Sequence, residues 1–277
     1  MTVINTNIAA SITANAMKSN ARVMGNTMER LATGTRVNSA SDDAAGLAIG
    51  ARTPSKLDLA EQAIRELGID VPVLKVKTDI TDKNQCENLI TKVIDEFERV
   101  DVLFNSAYDP GEFELAENAN LENWRRVMDT NFYGSVQLTQ ACIPHMKAQG
   151  GGSIVMIATM AEHKPMLMNG GYAASKLALR AATKQLAMEL GSSNIRINSA
   201  HIGWMWGPAV EGYFKTQATE TGVPIEDLKK VITNDIPLGR IPEDGECAKA
   251  AMILASDYAC VVTGAGLDIN GGMFMPT

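Results

Sequence analysis

Short apolar runs that alternate with longer amphipathic stretches constrain the fold of this chain more than any other feature. The clearest run, Ser153–Ala158, has the continuous apolar character of a strand buried on both faces. The pattern predicts strands at 73–80, 100–107, 152–159, 195–201 and 266–270, and helices at 83–99, 121–149, 172–192 and 244–257. Strands separated by helices form a parallel sheet with helices on both faces. The sequence therefore predicts an α/β fold.

Length and charge exclude several classes of protein. The 277 residues suffice for one large α/β domain and an appended segment. The net charge of −7 argues against nucleic-acid binding through a basic surface. No stretch approaches about 20 consecutive apolar residues, so no membrane span is expected. The N-terminus has no basic lead before a long apolar run, so no standard secretory signal is expected either.

Cysteines and histidines show no metal-binding spacing. The cysteines at 86, 142, 247 and 260 form neither a zinc-ligand pattern nor a disulfide framework, and they suit a reducing compartment such as the cytoplasm. His145, His163 and His201 are dispersed, and surface or core roles are expected for them. No metal is therefore expected.

A Tyr-Ala-Ala-Ser-Lys motif at residues 172–176 points to acid–base chemistry. Tyr172 and Lys176 are four residues apart at the start of a predicted helix, so they share one helix face. The Lys176 ammonium is expected to favour the phenolate form of Tyr172, which would bring the phenol closer to the working pH of a catalyst. Taken alone, such a pair is usually a solvated pair on a helix surface.

Two further polar residues accompany this motif. Thr159 ends the apolar run that precedes Tyr172, so its hydroxyl is expected to face the same cleft. Asn131 lies inside the helix predicted at 121–149, where a buried amide must find hydrogen-bond partners. In this order and spacing, Asn131, Thr159, Tyr172 and Lys176 resemble the catalytic tetrad of the short-chain dehydrogenase/reductase family. The resemblance covers residues 51–277 and implies a Rossmann-like, doubly wound parallel sheet.

The resemblance also implies a nicotinamide cofactor, NADP or NAD. Several stretches of this chain resemble the family segments that contact the cofactor. The cofactor-binding residues that the resemblance implies are Arg52, Asp79, Asn105, Ser106, Ala107, Tyr172, Lys176, Ile202 and Gly203. Arg52 occupies the region where a basic residue pairs with the 2′-phosphate, which favours NADP, although it is equally well read as a solvated loop charge. The chain departs from the family at Tyr108, which replaces a glycine, and at Ile202, which replaces a proline.

The implied reaction interconverts an alcohol and a carbonyl compound. Tyr172 would exchange the proton, Lys176 would hold the nicotinamide ribose, Thr159 would bind the substrate oxygen, and Asn131 would organise a water relay behind Lys176. Trp204, Met205 and Trp206, together with Met166, Leu167 and Met168, suggest an apolar substrate and a mobile substrate loop. Ordinary packing is an equally good interpretation of these residues.

The first strand and glycine-rich turn of this family are absent from the sequence. Thr33-Gly34 lacks the later glycines of a Thr-Gly-x-x-x-Gly-x-Gly turn, and Gly46-x-x-x-Gly50 has Arg52 at the third glycine position. Leu47–Gly50 is a candidate for the second strand. Three outcomes stay open for the gap: a substitute strand from residues 1–50, closure of 73–80 against 100–107, or misfolding.

Residues 1–50 resemble a different family, bacterial flagellin. The resemblance lies in Val3–Asn7, Met28–Gly34 and Arg36–Ile49, and it predicts a helical arm joined to a dehydrogenase domain at 51–277. An alternative function follows, in which the chain is a flagellin-like structural or exported fusion protein with an inactive dehydrogenase part. An amphipathic helix lying on the domain is another interpretation of this segment. The dehydrogenase resemblance further implies a homo-oligomer, a dimer or a tetramer.

Overall fold

Strands and helices alternate along the part of the chain that the computed structural model describes, which is residues 46–66, 68 and 70–276. The strands are β1 (Leu47–Ala51), β2 (Val73–Lys77), β3 (Val102–Asn105), β4 (Gly152–Thr159), β5 (Ile195–Ile202) and β6 (Gly266–Ile269). The helices are α1 (Pro54–Glu66), α2 (Lys83–Phe97), α3 (Leu121–Met128), α4 (Ser135–Ala148), α5 (Gly170–Leu190), α6 (Pro208–Thr221), α7 (Ile225–Thr233) and α8 (Asp244–Ala255). The flagellin-like stretches Val3–Asn7, Met28–Gly34 and most of Arg36–Ile49 lie outside these residues.

Strands β3, β4, β5 and β6 form one parallel sheet in that order. The longest ladder pairs β4 with β5 over their full lengths, from Gly152 opposite Ile195 to Thr159 opposite Ile202. β4 is buried on both faces, as its continuous apolar sequence predicts. Because parallel strands end at the same edge of a sheet, this register brings the carboxyl ends of β4 and β5 together.

Strands β1 and β2 form a separate two-stranded sheet. The prediction that Leu47–Gly50 acts as a strand is confirmed, and the backbone N–H of Thr78 donates to the carbonyl of Ala51 at 2.9 Å, just beyond the two strands. Closure of 73–80 against 100–107 is wrong, since no ladder joins β2 to β3 among the described residues. Helix α2 packs against both β2 and α4, so the helices bridge the two sheets where the strands do not.

The main core lies between these helices and the strands. It is built from residues of β2, α2, α4, β4, α5 and β5, including Cys86, Cys142, Met146, Ile154 and Leu179, each 0% exposed. Burial raises the pKa of the Cys142 thiol to about 12, so this cysteine is a core residue and not a nucleophile. No helix in the described part of the chain has the length and apolar character needed to cross a membrane.

The helix predicted at 121–149 is interrupted. It consists of α3 and α4 joined by a π-helical turn, Asp129–Gly134. Wider turns of this kind occur mostly at functional sites, because they change the direction of the side chains that they carry. Asn131 lies within the turn and is fully buried.

Helices α6 and α7 follow β5 as a separate hydrophobic layer that the sequence analysis missed. Phe214 is 2% exposed, and its ring lies 6.0 Å from Trp204 and 5.7 Å from Trp206, centroid to centroid. Lys229 also stacks over Trp206, with its Nζ 3.7 Å from the ring centroid. Both rings are packed against α6 and α7, in agreement with the alternative of ordinary packing, and a mobile substrate loop at the two tryptophans stays a prediction.

We expect Phe214→Ala to destabilise the protein by about 3–5 kcal/mol, because it removes the ring around which this layer packs. Urea unfolding followed by tryptophan fluorescence would measure the loss. Val231→Ala on α7, where the side chain is 67% exposed, is the matched control and should change the free energy of unfolding by less than about 0.5 kcal/mol. Equal effects of the two substitutions would contradict the assignment of Phe214 as the centre of the layer.

Candidate active site

Tyr172 and Lys176 lie in the first two turns of α5, as the sequence predicts. Two glycines make this position possible. A Cβ atom on Gly170 would lie 2.7 Å from the Trp124 ring, and one on Gly171 would lie 3.0 Å from it, so only glycine lets α5 approach α3 this closely. The start of α5 is thereby held against α3, and Tyr172 directly follows the contact.

Lys176 is buried, with 1% of its surface exposed. Its Nζ donates to the carbonyl oxygen of Ile157 on β4 at 2.7 Å and lies 5.9 Å from the centroid of the Tyr172 ring. Burial lowers the pKa of Lys176 to about 8, and the Glu162 carboxylate opposes this shift. The group therefore titrates close to physiological pH.

The phenol of Tyr172 responds to burial in the opposite direction. Desolvation raises the pKa of Tyr172 to about 12, while a hydrogen bond with Thr159 lowers it and the nearby Tyr108 and Glu162 raise it. The prediction that Lys176 brings the pKa of this phenol closer to the working pH is therefore wrong for this structure. Desolvation outweighs the influence of the Thr159 hydroxyl, so Tyr172 is held as the neutral phenol, the form that donates a proton.

Thr159 ends β4 and caps the short 3₁₀ turn Met160–Glu162. Its Oγ1 accepts a hydrogen bond from the N–H of Ala161 at 3.2 Å and donates to the carbonyl of Ile202 at 3.5 Å. Thr159 lies near enough to Tyr172 for its hydroxyl to lower the pKa of the phenol, so the two hydroxyls lie in the same cleft. Both hydroxyls are thus available to one substrate oxygen at the end of β4.

Both polar atoms of the Asn131 side-chain amide form hydrogen bonds with neighbouring segments. Its Oδ1 accepts from the N–H of Asp109 at 2.7 Å, and its Nδ2 donates to the Asp109 carbonyl at 2.9 Å and to Ser175 Oγ at 3.0 Å. Ser175 in turn donates to the carbonyl of Tyr172 at 2.7 Å. Asn131 is therefore linked to Tyr172 through Ser175, and its role in a water relay behind Lys176 stays a prediction.

Ser175 and Asp109 were not identified from the sequence as site residues. Ser175 is 0% exposed and stands directly before Lys176 in the motif, so its position beside the lysine was the available signal. Asp109 contributes mainly its backbone, and its side chain pairs with Arg126. Because any residue type could supply these backbone groups, the sequence does not reveal that position 109 contributes to the site.

Five of the other residues expected at the cofactor, Asn105, Ser106, Ala107, Ile202 and Gly203, lie at the carboxyl ends of β3 and β5. Ser106 and Ala107 are exposed after β3, whereas the side chain of Asn105 is buried and donates to Thr139 Oγ1 at 3.0 Å. Ile202 ends β5, and the N–H of Gly203 donates to the Ile269 carbonyl at 2.9 Å. These strand ends therefore meet at the edge that carries Thr159 and Tyr172.

Asp79 and Arg52 lie on the two-stranded sheet. Asp79 Oδ1 accepts from the N–H and the hydroxyl of Thr81 at 3.0 and 2.8 Å, after the end of β2. Arg52 is exposed in the turn between β1 and α1. No hydrogen bond or ion pair joins either residue to Tyr172, Lys176 or Thr159 in the described part of the chain.

The described residues fit one end of a nicotinamide dinucleotide. The phenol, the threonine hydroxyl and the buried ammonium converge at the carboxyl edge of the sheet, which is where open α/β sheets bind nucleotides. For the pyrophosphate, no turn of the form Thr-Gly-x-x-x-Gly-x-Gly occurs in the sequence. The donor set thus fits the nicotinamide ribose and leaves the phosphate contacts unassigned.

Lys176→Met should remove a pH dependence of stability. The unfolded lysine, with a pKa of 10.5, binds a proton that the folded lysine has lost above a pKa of about 8. Wild-type stability should therefore rise from pH 8 to 10.5 relative to Lys176→Met, by up to about 3 kcal/mol. Urea unfolding at a series of pH values measures the difference. Lys184→Met, an exposed lysine on the same helix, is the control, and a flat difference for Lys176→Met would refute the assignment.

Comparisons with known proteins agree with this geometry. The family model adh_short_C2, described as Enoyl-(Acyl carrier protein) reductase, matches residues 31–274. A trans-4-hydroxycyclohexanecarboxylate dehydrogenase of Sinomonas cyclohexanicum is 35% identical over 208 residues, covering 74% of this chain and 72% of that protein.

Solved structures give the same result. An NAD⁺-bound xylitol dehydrogenase superposes with a TM-score of 0.75 and 27% identity, covering 82% of this chain and 88% of that one. L-sorbose reductase from Gluconobacter frateurii, complexed with NADPH and L-sorbose, superposes with a TM-score of 0.79 and 25% identity, covering 84% and 88%. The chain belongs to the short-chain dehydrogenase/reductase family of oxidoreductases.

Proposed function

We propose that this protein interconverts a secondary alcohol and a ketone with a nicotinamide cofactor, and that Tyr172 is its general acid and base. The observation that carries the proposal is the arrangement of Tyr172, Thr159 and Lys176 at one sheet edge. Two hydroxyls face each other there, and a buried ammonium lies beneath them. A phenol and a second hydroxyl on one substrate oxygen suit carbonyl reduction and alcohol oxidation, in which that oxygen gains or loses a proton.

The roles of the residues follow from their protonation states. Tyr172 is neutral over the physiological range because burial raises its pKa, so it donates its proton to a carbonyl oxygen as that oxygen gains negative charge. Thr159 donates a second hydrogen bond to the same oxygen. In the oxidative direction the phenolate must form, and the Lys176 ammonium, 5.9 Å from the ring centroid, would then favour it.

Asn131 and Ser175 position this group. The amide of Asn131 connects the loop backbone at Asp109 to Ser175, and Ser175 fixes the backbone at Tyr172. Since the π-helical turn carries Asn131 into the site, distortion of that turn would move the phenol. These two residues act through Tyr172 and are positioning residues.

The nicotinamide, when bound, supplies the hydride acceptor or donor. Lys176 and Tyr172 would hold its ribose, with the strand ends at Ser106, Ala107, Ile202 and Gly203 beside it. We infer a preference for NADP because Arg52 is exposed in the turn after β1, where a guanidinium can form charge-assisted bonds with a 2′-phosphate. Related structures contain NAD⁺ or NADPH, so both cofactors occur in the family.

An apolar, cyclic substrate fits the surroundings of Tyr172. The segment between β4 and α5 exposes Met166, Leu167 and Met168, at 38%, 82% and 40%, and Tyr108 is 48% exposed. Apolar side chains left in solvent at the mouth of a site favour an apolar ligand. The relative from Sinomonas cyclohexanicum is named for a ring alcohol, which supports a cyclic secondary alcohol as the substrate class.

Tyr172→Phe should lower kcat/KM for reduction of a cyclic ketone by about 10²–10⁴-fold, the usual contribution of a general acid. Steady-state assays with NADPH and NADH measure the loss. Tyr133→Phe, in the π-helical turn with a 55% exposed side chain, is the matched control and should keep its activity. Unchanged turnover in Tyr172→Phe would contradict the catalytic assignment.

Arg52→Glu should shift the cofactor preference toward NADH. Loss of the charge-assisted bonds should lower the ratio of NADPH to NADH affinity by about 10–100-fold. Fluorescence titration with each cofactor measures this ratio. Lys249→Glu, an exposed residue on α8, changes the net charge equally and should leave the ratio unchanged. An unaltered ratio in Arg52→Glu would remove Arg52 from the cofactor site.

A further inference from the structure

Two adjacent side chains and a third from a distant part of the sequence meet beside the carboxyl ends of β4 and β5. Glu162 and His163 follow β4, and His201 lies on β5. Their nearest ligand atoms all lie within 4.8 Å of one another. Oε1 of Glu162 is 3.3 Å from Nε2 of His163 and 3.3 Å from Nε2 of His201, and Nε2 of His163 is 3.2 Å from Nδ1 of His201.

The carboxylate of Glu162 is buried without hydrogen bonds. Its side chain is 0% exposed, and neither of its oxygen atoms has a hydrogen-bond partner. Three nitrogens stand 3.3 Å from Oε1, those of His163, Arg180 and His201, and none has the geometry of a hydrogen bond. A buried carboxylate in this state is costly, and a cation that coordinates it would remove the cost.

The two distances from Glu162 Oε1, 3.3 Å to Nε2 of each histidine, match those between ligands of a zinc ion, and all three ligand atoms lie within 4.8 Å of one another. Zinc binds imidazole nitrogen and carboxylate oxygen at about 2.0–2.1 Å, so two ligands of a tetrahedral ion lie about 3.3–3.4 Å apart. Two histidines and one glutamate are a donor set suited to zinc and similar transition metals. Calcium and magnesium prefer oxygen ligands throughout.

Asp268 supplies the support that metal-bound histidines usually have. Its Oδ1 is buried without a hydrogen bond and lies 3.4 Å from Nδ1 of His201. An Nδ1–H donated to this carboxylate would leave Nε2 of His201 free to bind a metal. Ser199 Oγ, now 2.8 Å from Nε2, lies 3.4 Å from the Ala265 carbonyl and can turn its hydrogen to that oxygen.

Arg180 occupies the remaining side of the cluster. Its Nε lies 3.3 Å from Glu162 Oε1, and its Nη1 lies 3.3 Å from Nδ1 of His163. The side chain is 29% exposed, so it has an outward path. A guanidinium and a divalent ion cannot share this space, because both are positive and both need the same carboxylate.

We propose that Glu162, His163 and His201 form a binding site for a divalent transition-metal ion such as zinc, next to the Tyr172 site and built from other residues. Asp268 orients His201, and Arg180 is the counter-ion of Glu162 when no metal is bound. The ring of Phe274 stacks on His163, with centroids 5.2 Å apart and planes inclined by 11°. The metal therefore ties the turn after β4 to β5 and, through Phe274, to the C-terminal segment.

Titration of the purified, chelator-treated full chain with Co²⁺ tests the proposal. One equivalent should bind and give the visible d–d bands of tetrahedral cobalt, without thiolate charge-transfer bands. Competition with Zn²⁺ should remove the bands, and Zn²⁺ should raise the melting temperature. Absence of binding up to millimolar Co²⁺, or thiolate bands that assign the ion to cysteines, would overturn the site.

Variants separate this cluster from chance binding. Glu162→Gln and His163→Gln should weaken Co²⁺ binding more than about 100-fold, and Asp268→Asn should weaken it about 10–100-fold. Arg180→Gln should strengthen it about tenfold, since a competing charge is removed. His145→Gln, at the remaining histidine of the chain, is the control and should bind like wild type.

The His163→Gln variant still tests the proposal if a substitution at a more deeply buried residue prevents folding. The His163 side chain is 14% exposed at the surface of the cluster, so His163→Gln should preserve the fold. Unchanged Co²⁺ affinity in folded His163→Gln would overturn the proposal. Because the readout is the cobalt spectrum, the result does not depend on the proposed oxidoreductase activity.

Discussion

The arrangement of the candidate active site depends on the buried ammonium of Lys176. With 1% of its surface exposed, this group loses nearly all of its water, and it recovers a partner in the Ile157 carbonyl of β4. The bond fixes where α5 crosses the strand. Tyr172, one turn earlier, is consequently placed beside the end of β4, where Thr159 stands. Burial that lowers the pKa of the lysine to about 8 also raises that of the phenol to about 12, so the same dry environment keeps Tyr172 protonated.

A second constraint comes from the other side of α5. The ring of Trp124 on α3 reaches the backbone at Gly170 and Gly171, and the π-helical turn after α3 delivers Asn131 to Ser175. Both contacts require α3 to lie close to α5. The π-helical turn then redirects the chain, so that α4 packs along the core. An uninterrupted α-helix would rotate the amide of Asn131 away from Ser175, because each residue turns the chain by about 100°. The irregularity in the helix is thus part of the site.

These two constraints explain what could be predicted from the sequence. The strand at 152–159 and the helices that carry Tyr172 and Cys86 were found because their apolar patterns are continuous and buried. The π-helical turn was missed, since its residues continue the helical pattern and only the hydrogen bonding differs. Helices α6 and α7 were missed because Trp204 and Trp206 resemble a substrate loop until their partner Phe214 is located. The cluster around Glu162 is invisible to spacing rules, because His201 comes 38 residues after His163 and meets it only through the pairing of β4 with β5.

The division of the strands into two sheets separates the residues proposed for proton exchange from Arg52 and Asp79, which are proposed to contact the cofactor. Every residue assigned to proton exchange lies on β4, on α5 or in the π-helical turn, and all are held by the four-stranded sheet and its helices. Arg52 and Asp79 follow the strands of the two-stranded sheet, and among the described residues this sheet is joined to the rest through packed helices and not through a strand ladder. If Arg52 and Asp79 bind the cofactor as proposed, a change in the position of β1 and β2 would alter cofactor affinity while leaving the phenol, the threonine hydroxyl and the ammonium in place. The proposed acid–base group would in this sense be independent of the proposed cofactor contacts on β1 and β2.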